Sequence, residues 1–226
     1  MDIQTNLKQV LSELPSGVRL VAVSKFHPAE AIREAYEAGQ RIFGESKEQE
    51  LSEKQKELPP DIEWHFIGHL QTNKVKYIAP YIALIHAVDS YKLLTEINKQ
   101  AAKCNRIIPC LLEIHIAQEE SKYGFTPEAC RDMLEKEEWK QLDHVCIAGV
   151  MGMATNTDDE TQIEQEFHTL KALFDEWKQT FFASCPDFKE ISMGMSHDYP
   201  IAVRAGSTMV RVGSKIFGER VYTINK

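Results

Sequence analysis

The chain has 226 residues, 43% of them hydrophobic and 27% charged, with a formal net charge of -8. That length fits one large domain able to bury roughly 70% of its unfolded surface, and the negative charge comes without any block of Lys or Arg, which argues against nucleic acid or an anionic membrane as partner. No run of 18 apolar residues is long enough to span a bilayer, and the opening MDIQTNLKQVLSELPSG lacks the apolar core of a signal peptide.

These features predict a cytoplasmic protein with a small-molecule partner. The five cysteines, Cys104, Cys110, Cys130, Cys146 and Cys185, are widely spaced, with no C-x-x-C pair and no His at ligand distance. They read as reduced structural thiols, and no metal is expected.

In chain order, residues 3–14 have amphipathic spacing, and an N-terminal helix within 1–16 is expected to cap the lower mouth of the fold. Short apolar, β-branched runs follow at 18–25, 41–45, 63–69, 84–89, 108–116, 144–153, 190–195 and 209–218. Between them, helical periodicity marks 28–38, 46–58, 90–104, 127–142 and 159–182, several opened by Ser, Asp or Pro. Leu58-Pro59-Pro60 is a turn. Strands alternating with helices imply a parallel sheet. The first strand ends VAVSKFHPAE, without the G-x-G-x-x-G of an open nucleotide-binding sheet, so a single-domain (β/α)8 barrel is expected over residues 1–226.

In such barrels the chemistry sits at the carboxyl ends of the strands. Lys25 closes the first run, where its stem would lie against apolar neighbours. Partial desolvation there lowers an amine's pKa, and a neutral amine is what imine formation requires. The bland alternative is a solvated lysine at a strand end. The last two runs read ISMGMSHD and TMVRVGSKIFG, and the loops after strands 7 and 8 commonly bind phosphate. Gly213 and Ser214 suit that place, with Ser192 adding a hydroxyl; plain strand ends with packing glycines are the alternative. A lysine opposite a phosphate cradle points to pyridoxal 5'-phosphate. Arg211, two residues before Gly213, shares that residue's strand face and could donate to the cofactor's ring nitrogen, or else pair with a carboxylate such as Glu45 or Glu113. Because guanidinium only donates, it would keep that nitrogen unprotonated.

Taken in order, AVSK, FGE, WHFIGHLQTNK, ESKYG, GVMGMA, SMGMSHD and GSTMVRVGSKIFG span nearly the whole chain. The set resembles the YggS/PROSC family of pyridoxal phosphate homeostasis proteins. The resemblance implies a barrel like the N-terminal domain of alanine racemase, the cofactor on Lys25, Ser192, Gly213 and Ser214 near its phosphate, and Arg211 at its ring nitrogen. One departure is Ser46, which follows FGE where the family often has Asn.

Other polar residues have plainer readings. His65 reads as a core histidine bonded to backbone, while His69 stays open as a ligand contact. Ser207 and Thr208 read as structural. Lys122, in the loop after strand 5, is either a second amine that receives cofactor or a solvated lysine paired with Glu119 and Glu120. Met151 and Met153 read as barrel core. Tyr36 and Tyr123 are proton donors without special support, and Asp158-Asp159-Glu160 opens a helix.

Three functions remain. The first is a cofactor carrier that buffers or delivers pyridoxal 5'-phosphate to apo-enzymes and so influences amino-acid and keto-acid pools. The second is a small amino-acid racemase using Lys25 with Tyr123 or His69. A barrel binding some other phosphorylated metabolite is a third, blander reading. The sequence stops soon after strand 8, leaving no segment for a racemase's β-domain, so the carrier and a monomer are expected, with a homodimer as the alternative.

Overall fold

The computed structural model describes residues 2–119 and 123–218. The order of elements is α1 (Ile3–Glu13), β1 (Arg19–Val23), α2 (Ala29–Glu37), β2 (Ile42–Glu45), α3 (Glu48–Glu57), β3 (Glu63–Phe66), α4 (Val75–Ile78), β4 (Leu84–Val88), α5 (Tyr91–Lys103), β5 (Ile108–Glu113), α6 (Pro127–Glu135), β6 (Val145–Met151), α7 (Glu160–Gln179), β7 (Glu190–Ser192), α8 (Tyr199–Arg204), β8 (Met209–Val212) and α9 (Ser214–Phe217). The eight strands are parallel, each beside its sequence neighbour, and β8 closes on β1 from Arg19↔Met209 to Ala22↔Val212. The expected (β/α)8 barrel is what the chain forms.

Local chemistry explains the helix starts. Asp2 accepts the Thr5 N–H, Ser90 that of Leu93, Thr126 that of Ala129, and Asp159 those of Thr161 and Gln162, satisfying donors a helix cannot pair internally. Asp159 is thus the cap of α7, in keeping with the reading of residues 158–160. The stripe Ile163, Phe167, Leu170, Phe174 and Trp177 steps by four and three along α7, and every member is buried. Each such side chain contributes roughly 1.5–3 kcal/mol on burial. Phe174 and Phe182 stack on opposite sides of the Phe188 ring, at 4.9 and 4.0 Å between centroids.

Where β5 meets β6 the register shifts, between Cys110 and Leu111. Gly149 makes the irregularity feasible: its φ is +154°, and a Cβ there would lie 1.8 Å from the Glu190 carbonyl oxygen.

Several boundaries differ from the sequence reading. The strands stop two to six residues short of the apolar runs at the carboxyl end in most cases, because the barrel needs only a few ladder pairs and the remaining residues turn over its rim. The eighth run divides into β8 and α9. Residues 127–142 are two pieces, since Glu137 adopts φ +57° and ends α6 before a short 3-10 turn, Glu138–Gln141. The N-terminal helix does not cap the lower mouth. α1 packs against α2 and α9 in the outer ring, burying Leu7 and Val10, and the Asn6 side chain donates to the Ile216 carbonyl. The lower mouth holds a cavity lined by strand starts, Arg19, Glu63, His65 and Glu190 among them, and by no residue of α1. The apolar stripe of α1 is satisfied by the gap between its two neighbouring helices.

Candidate functional site at the carboxyl end of the barrel

β1 ends at Val23, so Lys25 stands two residues beyond the strand, in a turn, rather than as its last residue. It lines a cavity of about 300 Å³ together with Arg211, Gly213 and Ser214. Val23, Ile67, Met153 and Met195 supply apolar walls, and Ser196 and His197 come from the loop after β7. Four of the five residues expected at the site therefore share one cavity. A planar ring with an anionic substituent suits this lining, which combines apolar walls with a buried cation, serine hydroxyls and an amine.

At Gly213 the end of β8 comes close to the end of β1. The Gly213 N–H donates to the Ser196 hydroxyl at 3.1 Å. A Cβ on Gly213 would lie 3.0 Å from the Val23 carbonyl oxygen, so a larger residue there would have to push β8 and the end of β1 apart by a few tenths of an ångström. Ser214 is the first residue of α9, with Gly213 at its N-cap position.

Ser192 is the exception among the expected residues. Fully buried in β7, it does not line the cavity; its hydroxyl lies between Arg211, which donates to it at 2.5 Å, and the His86 ring at 2.9 Å. A three-residue strand leaves Ser192 inside the barrel, and Ser196, four residues on, reaches the cavity instead. Ser196 was missed by the sequence reading, although the Gly-Met-Ser-His-Asp stretch after an apolar run was the signal for it.

Arg211 is buried inside β8. Besides Ser192 it donates to the Gly152 carbonyl at 3.2 Å, and among the described residues no carboxylate stands at ion-pair distance. Glu45, one of the suggested partners, is taken by Lys54 at 2.7 Å. Burial pulls the Arg211 pKa down to about 10, with Asp198 and Glu113 opposing, so the guanidinium is still a cation at neutral pH. Glu113, at the end of β5, has one carboxyl oxygen without a hydrogen-bond partner, and burial, with the Asp89 carboxylate, pushes its pKa up to about 7 against the pull of Arg211.

His65 is buried as expected, but its partner is not backbone. Its Nδ1 meets Nε2 of His86 at 2.9 Å, and His86 continues to Ser192 and Arg211. Burial drives the His65 pKa down to about 3 and that of His86 well below its ordinary value, so both rings are neutral. The column gives Arg211 a fixed polar support. His86 went unremarked in the sequence, though a histidine inside the otherwise apolar LIHAV run marks an inward-facing polar position.

His69 and Tyr123 stack on each other at 4.2 Å, and His69 Nδ1 lies 3.0 Å from Asp89; neither ring lines the cavity of Lys25. Tyr36 donates to Asp61 on the barrel's exterior at 2.7 Å. Met153 lines the cavity, whereas Met151 is barrel core. Ser46 packs on Gly68, where a Cβ would fall 2.7 Å from its own, and does not line the cavity. Ser207 donates to strand carbonyls, Met193 O at 2.8 Å among them, and is structural. Lys122 lies outside the described residues. Among the described residues no group of three metal-ligating side chains occurs, and no helix is long and apolar enough to cross a membrane.

Residues 2–221 match the family described as alanine racemase, N-terminal domain. The chain is 38% identical over 205 residues to the pyridoxal phosphate homeostasis protein of Aquifex aeolicus, covering 90% of this chain and 88% of that one. With the protein of the same name from Pasteurella multocida it shares 38% over 231 residues, covering 98% and 96%. Among solved structures, PipY of Synechococcus elongatus with pyridoxal phosphate bound superposes with a TM-score of 0.86 at 37% identity, over 96% of this chain and all of that one. Alanine racemase of Clostridium difficile shares the fold alone, with a TM-score of 0.77 at 15% identity over 99% of this chain and 57% of the enzyme.

Proposed function

The chain belongs to the pyridoxal phosphate homeostasis protein family, built on the alanine racemase N-terminal domain, and from that premise we propose that it is a pyridoxal 5'-phosphate carrier that holds the cofactor as an imine on Lys25. The observation that carries this reading is the shared cavity, in which an amine, a buried guanidinium and a serine-glycine turn stand around apolar walls. Ser196, Gly213 and Ser214 would hold the phosphate, and Arg211 would donate to the ring nitrogen. When bound, the cofactor supplies an aldehyde to the lysine and an electron-accepting ring. Arg211 has no proton acceptor to offer, so it leaves the ring nitrogen unprotonated and the ring a weak electron sink. Ser192 and His86 act behind it, fixing the guanidinium's orientation.

The reading extends to buffering and delivery of the cofactor to apo-enzymes, by a cytoplasmic monomer; in its favour, His197, which does line the cavity, is paired with Asp198 at 3.2 Å. His69 and Tyr123, the groups a racemase would need opposite Lys25, engage each other outside the cavity. The test uses the purified full chain with added pyridoxal phosphate. Absorbance at about 420 nm and a borohydride-fixed label on Lys25 are expected, and both should vanish in Lys25→Ala. No absorbance in the wild-type protein would reject the imine. Incubation with L-amino acids in deuterated water separates carrier from racemase: Cα exchange lost in Lys25→Ala would overturn the carrier reading.

A further inference from the structure

Lys25 rides on a turn whose neighbouring peptides are gripped by a buried charge cluster. The Lys54 ammonium, from α3, donates to the Ser24 carbonyl at 2.9 Å, to Glu45 Oε1 at 2.7 Å and to Glu50 Oε1 at 2.6 Å. That uses all three of its hydrogens. The Ser24 hydroxyl donates to the same Glu45 oxygen at 2.7 Å, and Glu50 Oε1 also accepts the Phe26 N–H at 2.6 Å. The His27 N–H closes the turn on the Ser24 carbonyl at 3.1 Å. Between these ties Phe26 adopts φ +67°, a left-handed conformation that an aromatic L-residue holds only when its surroundings impose it.

Buried ion pairs contribute little stability beyond what apolar side chains of similar volume would give, because desolvation offsets their attraction. Stability alone is therefore a poor account of three ionisable side chains at this place, the more so because burial pushes the Glu45 pKa up to about 7. Their contacts with the Lys25 turn fall on its two immediate neighbours, Ser24 and Phe26. Resting on the reading that Lys25 forms the imine, we infer that Glu45, Glu50 and Lys54 are positioning residues that set the turn at residues 24–27 in advance, so that the Lys25 amine enters the cavity aimed at the cofactor's aldehyde.

The step they assist is balanced without another reactant. The neutral amine nitrogen adds to the aldehyde carbon, a C=N bond replaces C=O, and the oxygen leaves as water with the two amine hydrogens. Arg211, Ser196, Gly213 and Ser214, which would contact the ring and phosphate, make none of the cluster's hydrogen bonds. Loosening it should weaken the covalent step and spare noncovalent binding.

That separation is measurable on the full chain with two ligands, pyridoxal 5'-phosphate and pyridoxine 5'-phosphate, whose alcohol in place of the aldehyde cannot form an imine. Glu50 is the residue to change, being on α3 with its side chain partly exposed. In Glu50→Ala, pyridoxal phosphate affinity is expected to fall about tenfold, with the 420 nm band reduced in step, while pyridoxine phosphate affinity stays within about twofold of wild type. Glu50→Gln, whose amide oxygen still accepts from Phe26, should retain most of the imine. An unchanged imine in Glu50→Ala, an equal loss for both ligands, or an equal loss in the Gln and Ala variants each overturns the inference. A wild-type protein that binds pyridoxine phosphate but never fixes a label on Lys25 overturns the imine reading and the inference together, and is distinct from the other three results.

Discussion

Glu113 shows at the scale of one residue what a buried carboxyl does to the pH dependence of the fold. Its carboxyl is buried, one oxygen is unpartnered, and burial raises its pKa from 4.5 to about 7. The folded protein thus favours the neutral acid. That contribution is fully present below pH 4.5 and is lost as pH rises through about 7, with an upper bound of about 3 kcal/mol. The part of the unfolding temperature's pH dependence that belongs to this carboxyl should therefore fall between about pH 4.5 and 7, and Glu113→Gln, which cannot ionise, should remove that part of the slope. Identical slopes in the two proteins would remove Glu113 as the cause. Legibility at this scale was uneven. Lys25, which ends the run at 18–25, shares its cavity with Arg211, Gly213 and Ser214, which lie within the run at 209–218. Ser192 was misplaced because an apolar run does not reveal where its strand stops, and the difference between Ser192 and Ser196 is the difference between the barrel's interior and its rim.

Single elements were read more securely than their ends. The period-four stripe of α7 and the capping residues Asp159 and Ser90 fix those helices from local chemistry. What local pattern cannot supply is the junction between neighbours. Gly149 is the case in point, since nothing in GVMGMA says that its Cα passes against Glu190. Gly149→Ala should destabilise the protein by about 3 kcal/mol or more, because a Cβ would overlap the Glu190 carbonyl oxygen. Chemical denaturation measures this directly, and a loss below about 1 kcal/mol would mean that β6 and β7 can part there at little cost. The break in α6 at Glu137 was likewise hidden, for Lys-Glu-Glu-Trp continues a helical pattern and only packing turns the chain.

Across the whole molecule, α1 is the element whose place the sequence did not disclose. It buries Leu7 and Val10 against the outer ring and ties Asn6 to Ile216 in α9, just after the Gly213 turn of the candidate site. Removing residues 1–16 should cost roughly 3–6 kcal/mol from those two side chains alone and lower the unfolding midpoint by at least about 6 °C, with weaker cofactor binding alongside. A truncated chain as stable as the full one would show that α2 and α9 close the gap by themselves. By itself, the sequence determined the alternation of eight strands with helices, the parallel sheet that alternation implies, and the amine and glycine-rich turn near the strand ends, because periodicity and residue chemistry are local properties. Tertiary structure alone decided that Ser192 supports Arg211 from inside, that His65 and His86 join it in a column, and that Glu45, Glu50 and Lys54 converge on the turn carrying Lys25. Those contacts link residues far apart in the chain, and only closure of the barrel brings their side chains within hydrogen-bond reach.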